Sequence, residues 1–564
     1  MKALFFKSVV WVAMLLLLPS CSKNTSPNTV LYNGVVISLD EDNIVYEAMA
    51  IKDGKISQLG SSEEILALAA DTTKTIDLAG DTLIPGFVGV HEHPTLEAIF
   101  ASTIDISGFS HQSAAQMWQF LQQQISNKPE GDWVFAMGID PILFPDMQLP
   151  TKRDLDKISP NNPLVLVSQT MHSFWANSRA FAAVNVTAAT PDPGHGSYYQ
   201  KNDKGELTGF IAESEAAAPF LQELKSPLRL ISNYETVLDG YLAAGFTTVA
   251  SLGINVPKWI AKYAALESFD YKIRQFFYLT TDEIASLPEQ PDNGDDFFAI
   301  LGVKLWHDGS PYTGSMQLAE HYTSSELTTS LGLKPDDAGA SRLSKSAFLS
   351  EIEKYSQKGW QLAIHSQGDL SSQQVADVMS SFQSAQFKQQ RHRIEHGLLI
   401  STQSLQQMAK IGMTPSFHIN HIYYYGDALS GGLIGPERAQ SVLRVKDAFD
   451  LDMHPTLHAD GPMFPAAPFH LMQTAITRKS NQGLVLGASQ SISKQQGLKA
   501  LTYNGAWQLG LDNKIGSIEQ GKYADFVRLS SNPLETPTEH LTAIQVLETW
   551  VAGKAKFIKS TQER

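Results

Sequence analysis

LIPGFVGVHEHP, residues 83–94, decides the architecture of this 564-residue chain. An apolar run ends abruptly in His91-Glu92-His93 and then Pro94. A strand puts alternate side chains on one face, so His91 and His93 would point the same way. That geometry suits two imidazoles on one cation. Among 16 histidines, however, a single His-x-His is equally well explained by two polar residues where a strand meets solvent.

The same format recurs along the chain. Candidate strands after LIPGFVGV (83–90) are FTTVASLG (246–253), RQFFYLT (274–280), ILGVKLW (300–306) and GWQLAIH (359–365). They continue with RHRIEH (391–396), MTPSF (413–417) and HPTLHAD (454–460). Helical patterns such as KSAFLSEIEKYSQKG separate most of them. Strand–helix units repeated about eight times argue for a (β/α)8 barrel. The interval 98–230 is too long for a loop and contains a strand of its own, LVLVSQT (164–170). It reads as a lid or subdomain over the barrel mouth. Residues 29–85 and 510–564 are short strands with turn signals, including Asn33-Gly34 and Asp53-Gly54, which read as hairpin dipeptides. They suggest one small β-sandwich built from both ends of the chain, leaving 86–509 for the barrel.

Active sites of such barrels sit at the C-terminal strand ends. Strand one ends in His91-Glu92-His93, strand four carries Lys304, strand five ends in His365, strand six in His396, and strand eight in Asp460. Neutral imidazole is the commonest ligand of zinc and similar cations. A buried lysine ammonium would be repelled by a dication, but its neutral amine can add carbon dioxide to give a bridging carbamate. Asp460 can bind a metal and take a proton from bound water. Each residue also has an ordinary reading: a snorkelling or ion-paired lysine, hydrogen-bonded core histidines, an aspartate supporting the Gly461-Pro462 turn. Convergence on successive strand ends favours the metal.

PGFVGVHEHP (85–94), MHSFWANSRAF (171–181), TPDPGHGSYYQKNDKGELTGFIAE (190–213), GVKLWHDGS (302–310), IHSQGD (364–369), RHRIEHG (391–397), LHADGP (457–462) and IGSIEQGKYADFV (515–527) occur in that order. Together they resemble the amidohydrolase superfamily of metal-dependent hydrolases, specifically its YtcJ-like branch (amidohydrolase family 3). The resemblance covers nearly everything after residue 28. It implies an α/β fold, a distorted TIM barrel plus a β-sandwich from both termini, with one or two divalent metal ions, zinc by preference. By that match His91 and His93 ligate one metal and His365 and His396 the other. Lys304 bridges as a carbamate, made with carbon dioxide, and Asp460 is both ligand and general base. His172, in the insertion, matches a position that reaches the site, as a substrate or oxyanion contact or in a structural role. Trp175 and Tyr312 would line the pocket or pack. Two departures stand out. Gly89 occupies a place where many members have aspartate, which removes one support behind His91, and His307 is an added substrate contact or a structural residue.

The activity expected is hydrolysis of a non-peptide C–N bond, in an amide or cyclic amide, by metal-activated hydroxide. An ester, lactone or carbamate hydrolase on the same centre is the alternative; a non-catalytic ligand-binding surface lipoprotein fits the intact ligand set less well. The partner is a small molecule with a hydrolysable carbonyl.

Net charge of −15 without a long basic run argues against nucleic acid or anionic membrane surfaces as partners. At the N-terminus, Lys2 and Lys7 precede a short apolar run, VVWVAMLLLL, followed by Pro19-Ser20-Cys21. The run is too short to span a bilayer and matches a secretory signal. Residues 1–21 read as a lipoprotein signal peptide with Cys21, the only cysteine, as the lipidated residue, and 22–28 as a tether. The protein is thereby expected to be exported and lipid-anchored, in the outer membrane facing the periplasm of a Gram-negative bacterium, with no other membrane contact. Oligomeric state leaves no mark on the sequence.

Overall fold

The computed structural model describes residues 26–144, 147–194, 197–254, 258–259, 266–267, 270–281, 283–291 and 294–560. The expected signal sequence, Cys21 and the first residues of the expected tether lie outside them. Among the described residues, no helix is long and apolar enough to cross a membrane.

Eight parallel strands form one sheet in chain order: β1 (Phe87–Glu92), β2 (Phe246–Ser251), β3 (Arg274–Leu279), β4 (Phe298–Trp306), β5 (Gln361–Ser366), β6 (Arg393–His396), β7 (Thr414–Phe417) and β8 (Thr456–Leu457). All eight follow candidate strands read from the sequence. β1 through β3, β6 and β7 are almost wholly buried, as parallel strands covered on both faces must be. The helices outside follow the usual rules. Lys345–Ser356, for example, is capped by Ser344 and buries Phe348, Ile352 and Tyr355, one stripe at helical spacing.

β8 is only two residues long and has no ladder to β1. A side chain closes that seam. The buried carboxyl of Glu92 accepts from the backbone N–H of Ala459 (3.2 Å) and of Gly461 (2.7 Å). The backbone N–H of His93 donates in turn to the Gly461 carbonyl at 3.0 Å. Burial is the main reason the Glu92 carboxyl titrates well above the usual carboxylate range.

The run 83–94 is not one strand. Thr82–Pro85 belongs to a six-stranded sheet with 35–37, 526–529 and 546–551, and only Phe87–Glu92 enters the barrel. The chain changes sheets at Gly86, where a Cβ would come within 2.2 Å of Thr247. The second terminal sheet, of four strands, comprises Thr29–Tyr32, Ala48–Lys52, Lys55–Gly60 and Lys74–Asp77. Asp53-Gly54 is a hairpin with both residues at positive φ, 51° and 78°. Asn33-Gly34 is not a hairpin: the strands it joins lie in different sheets, so its turn carries the chain from one layer to the other.

Between β1 and β2 a further six-stranded sheet runs from Ile104–Asp105 to Tyr198–Lys201, through Val134–Ile139, Leu164–Ser168, Ser173–Ala176 and Leu207–Ala212. It has its own core, including Met117, Leu121, Ala136, Leu155, Leu166 and Trp175. Gln169 donates to the Met463 carbonyl (2.6 Å) and Tyr425 to Asp140 (2.6 Å), tying this sheet to the barrel mouth.

Removing the Glu92 carboxyl leaves two buried N–H groups unpaired. Glu92→Ala is expected to cost about 2–4 kcal/mol, and Glu92→Gln, which keeps one acceptor, clearly less. Denaturant unfolding of the two variants beside the native chain checks this.

Candidate metal centre

The six expected metal-site residues and His172 line one cavity of about 160 Å3 at the C-terminal end of the barrel. They are His91, His93, His172, Lys304, His365, His396 and Asp460. Asp460 lies between the first two: its Oδ1 is 3.3 Å from His91 Nε2 and 2.9 Å from His93 Nε2. Its Oδ2 is 3.8 Å from His396 Nδ1. His365 stacks edge-on against His396, with ring centroids 4.4 Å apart.

The tautomer of His91 follows from its partner. Nδ1 sits 2.6 Å from a buried Glu395 oxygen, which can only accept, so Nδ1 carries the proton. Glu395 is held in turn by Arg393 Nε at 2.7 Å, and Arg393 also donates to the Val90 carbonyl at 2.9 Å. Burial opposes a charge on Glu395, yet Arg393 and His91 pull its carboxyl down to about 2. Burial and the nearby Lys304 lower His91, which keeps the imidazole neutral. Its Nε2 lone pair therefore faces a carboxylate oxygen at 3.3 Å. Both atoms are buried, and neither has a hydrogen-bond partner. Two facing acceptors repel unless a cation lies between them, so the donor set fits a metal ion.

Other imidazoles are oriented the same way. His418 Nε2 lies 2.9 Å from the Ala459 carbonyl, which makes it a donor there and turns the Nδ1 lone pair toward Asp460 Oδ2, 3.8 Å away. His365 Nε2 faces the Gly309 carbonyl at 3.4 Å, leaving its Nδ1 free. Asp308 fixes that region by accepting from the backbone N–H groups of Gln367, Gly368 and Gln317. His458 Nε2 lies 3.3 Å from His396 Nδ1, and His91, His396, His458 and Asp460 bring one ligand atom each within 4.8 Å of one another. Burial lowers His365 and His396 well below the ordinary imidazole value, with Lys304 or neighbouring histidines adding to it, and neutral imidazole is the ligating form. Burial opposes a charge on Asp460, but the contact with His93 Nε2 at 2.9 Å holds its carboxyl well below the usual range. Burial pushes Lys304 down to about 8, against the attraction of Glu395 and Asp460.

His396 and Asp460 both adopt positive φ, 72° and 58°. Such backbone costs about 1–3 kcal/mol each and persists where surroundings impose it, commonly at functional sites.

His418 and His458 escaped the sequence reading, as did Glu395 and Arg393. His418 follows β7 by one residue, and listing the residue just beyond each strand would have found it. Support for His91 comes across the barrel from Glu395, so a glycine at position 89 does not leave the ring loose. His307 is structural: its Nδ1 pairs with Ser371 Oγ at 2.9 Å, and its ring packs edge-on against Phe348. His172 is half-exposed, with Nδ1 2.9 Å from Glu213. Trp175 and Tyr312 line a second, larger cavity next to the first.

The amidohydrolase family model matches residues 74–556, and the chain belongs to that family. It is a hydrolase acting on carbon–nitrogen bonds other than peptide bonds. Among its relatives, N-substituted formamide deformylase of Arthrobacter pascens is 25% identical over 549 residues, covering 94% of this chain and 98% of the relative. The Bacillus subtilis (strain 168) protein YtcJ is 24% identical over 549 residues, covering 94% and 99%. An uncharacterized metal-dependent hydrolase from Pyrococcus horikoshii OT3 shares the fold, with TM-score 0.73, 21% identity, and coverage of 91% of this chain and 99% of that one.

Glu395→Gln is expected to weaken metal retention about 10–100-fold, read by chelator competition and metal analysis. The folded-state carboxyl lies near 2 against 4.5 ordinarily, so its stabilising contribution is complete above about pH 4.5 and is lost as pH falls toward 2. Acid titration of stability should be less steep across that window in Glu395→Gln than in the native chain.

Proposed function

We propose that the enzyme hydrolyses a small N-substituted amide, of the formamide class, with one or two zinc ions held by the strand-end residues. The observation that carries this reading is the buried pair of facing acceptors, His91 Nε2 and Asp460 Oδ1. The likeness to a formamide deformylase over 94% of the chain supports the substrate class.

His91, His93, His365, His396 and Asp460 would hold the metal, with Lys304 as a bridging carbamate. An amine brought down to about 8 is neutral in part at pH 7–8, the form that adds carbon dioxide. Bound there, the metal would supply Lewis acidity and bring the pKa of water down to about 7. Asp460, kept as a carboxylate, takes the proton of the attacking water. It then delivers that proton to the departing nitrogen, so the amine leaves uncharged. His172 has its Nδ1 turned to Glu213, which leaves Nε2 to accept from a donor group of the substrate. The N-terminal segment fits lipidation at Cys21 and an outer-membrane location facing the periplasm.

Zinc-loaded protein is expected to release formate from N-substituted formamides; full metal occupancy without hydrolysis of any amide overturns the proposal. Asp460→Asn should lower kcat by about 10²–10⁴-fold. His91→Ala should lose both metal and activity, and full activity in Lys304→Ala would remove the carbamate. In a Gram-negative host, Cys21→Ser should abolish labelling by radioactive palmitate and release the protein from the membrane fraction.

A further inference from the structure

The metal cavity opens beside a second one of about 620 Å3, and Thr170 and His172 line both. Tyr312 faces the larger cavity while its hydroxyl bonds His421 Nδ1 at 2.6 Å, and His421 lines the smaller, so the pair stands at the boundary between them. The small chamber must contain the metal, the attacking water and the scissile carbonyl. At about 160 Å3 it leaves room for only one small group on that carbonyl or nitrogen. The rest of a substrate has to extend into the larger chamber.

That chamber comes from the sheet between β1 and β2 and has a definite chemistry. Trp175 meets Phe210 edge-on at 5.4 Å, and Tyr198 leans on Phe210 at 6.1 Å, giving an aromatic wall. Ile139, Ile142, Leu149 and Leu331 add aliphatic surface. Among the described residues lining it there is no lysine or arginine. Its two carboxylates are already engaged: Asp140 by the Tyr425 hydroxyl and the Ile142 N–H, Glu213 by His172. An anionic substituent would meet no cation there and would lose hydration beside two acids. An uncharged aromatic ring would find faces and edges to pack against.

Resting on the amide-hydrolase reading, we infer that this second cavity is the specificity site. It accepts an uncharged aromatic or branched apolar substituent of the substrate and rejects one that bears a carboxylate. Phe210 and Tyr198 set this preference through the ring contacts they offer.

Three compounds test it: N-benzylformamide, N-methylformamide, and N-formylphenylglycine, which is the benzyl compound with a carboxylate added. Binding to metal-loaded Asp460→Asn protein, followed by calorimetry, separates recognition from turnover; kcat/KM on the native chain is measured beside it. The benzyl compound should bind at least about tenfold tighter than either of the others. Phe210→Ala should cut the benzyl-to-methyl ratio about tenfold, mainly through KM where turnover is measured. Tyr198 is exposed, so Tyr198→Ala provides a second variant whose folding is not at risk, with a smaller fall in the same ratio. Equal binding of the benzyl and methyl compounds, tight binding of N-formylphenylglycine, or an unchanged ratio in both variants overturns the inference. Preferential binding of the benzyl compound with no hydrolysis of any of the three upholds the specificity site and defeats the amide-hydrolase reading instead.

Discussion

The site depends on one buried ionic contact, that of Glu395 with His91 and Arg393. A carboxylate without solvent is tolerated only if its oxygens are satisfied, and here one takes the His91 Nδ1 proton and the other the Arg393 Nε proton. Arg393 in turn reaches the Val90 carbonyl and the Tyr278 hydroxyl, so β1, β3 and β6 are joined inside the barrel. The consequence is chemical as well as mechanical. Once Nδ1 is committed as a donor, Nε2 of His91 must present a lone pair inward. A single acid on β6 thus decides which atom of a β1 histidine can bind a cation.

The same device recurs with backbone carbonyls as the fixing acceptors, Ala459 for His418 and Gly309 for His365. Rings oriented this way are costly to protonate in so dry a space, and their neighbours repel further charge. Negative charge is concentrated instead in Asp460, and the lysine among these groups has its ammonium form weakened. Such an arrangement is unfavourable as an empty core, with several acceptors facing one another. It becomes consistent when a dication occupies the centre. The positive φ at His396 and Asp460 belongs to the same account, since ordinary strand geometry would carry both side chains along the barrel wall.

Much of this was legible in the sequence because barrel strands announce themselves as short apolar runs, and the chemistry sits where each run stops. That rule located β1 through β8 and six strand-end residues. It missed what depends on contact between distant segments. Arg393 and Glu395 lie in RHRIEH, a segment marked only for His396, since a strand does not reveal which neighbour across a barrel its inner residues will meet. His418 was lost because it stands one residue beyond the end of β7, which the sequence placed correctly at 417. The run 83–94 shows the opposite failure. Its hydrophobicity is continuous, yet it serves two sheets, and only the crowding of Gly86 by Thr247 marks the change. Asn33-Gly34 looked like a hairpin for the related reason that local turn chemistry does not specify which sheets the flanking strands join.

Gly89 shows how the seam and the centre constrain each other. A side chain there would place its Cβ 3.2 Å from the Glu92 Cγ and 3.2 Å from the Phe246 ring. A side chain there would press on Glu92, whose carboxyl closes β1 onto the two-residue β8, and the glutamate would have to give by a few tenths of an ångström. Closing the barrel through Glu92 and supporting His91 through a residue at 89 therefore crowd each other. This chain closes the seam with Glu92 and obtains the support from Glu395 on the opposite wall. The glycine thus leaves Glu92 and Phe246 uncrowded, and His91 is supported instead by the ionic contact across the barrel.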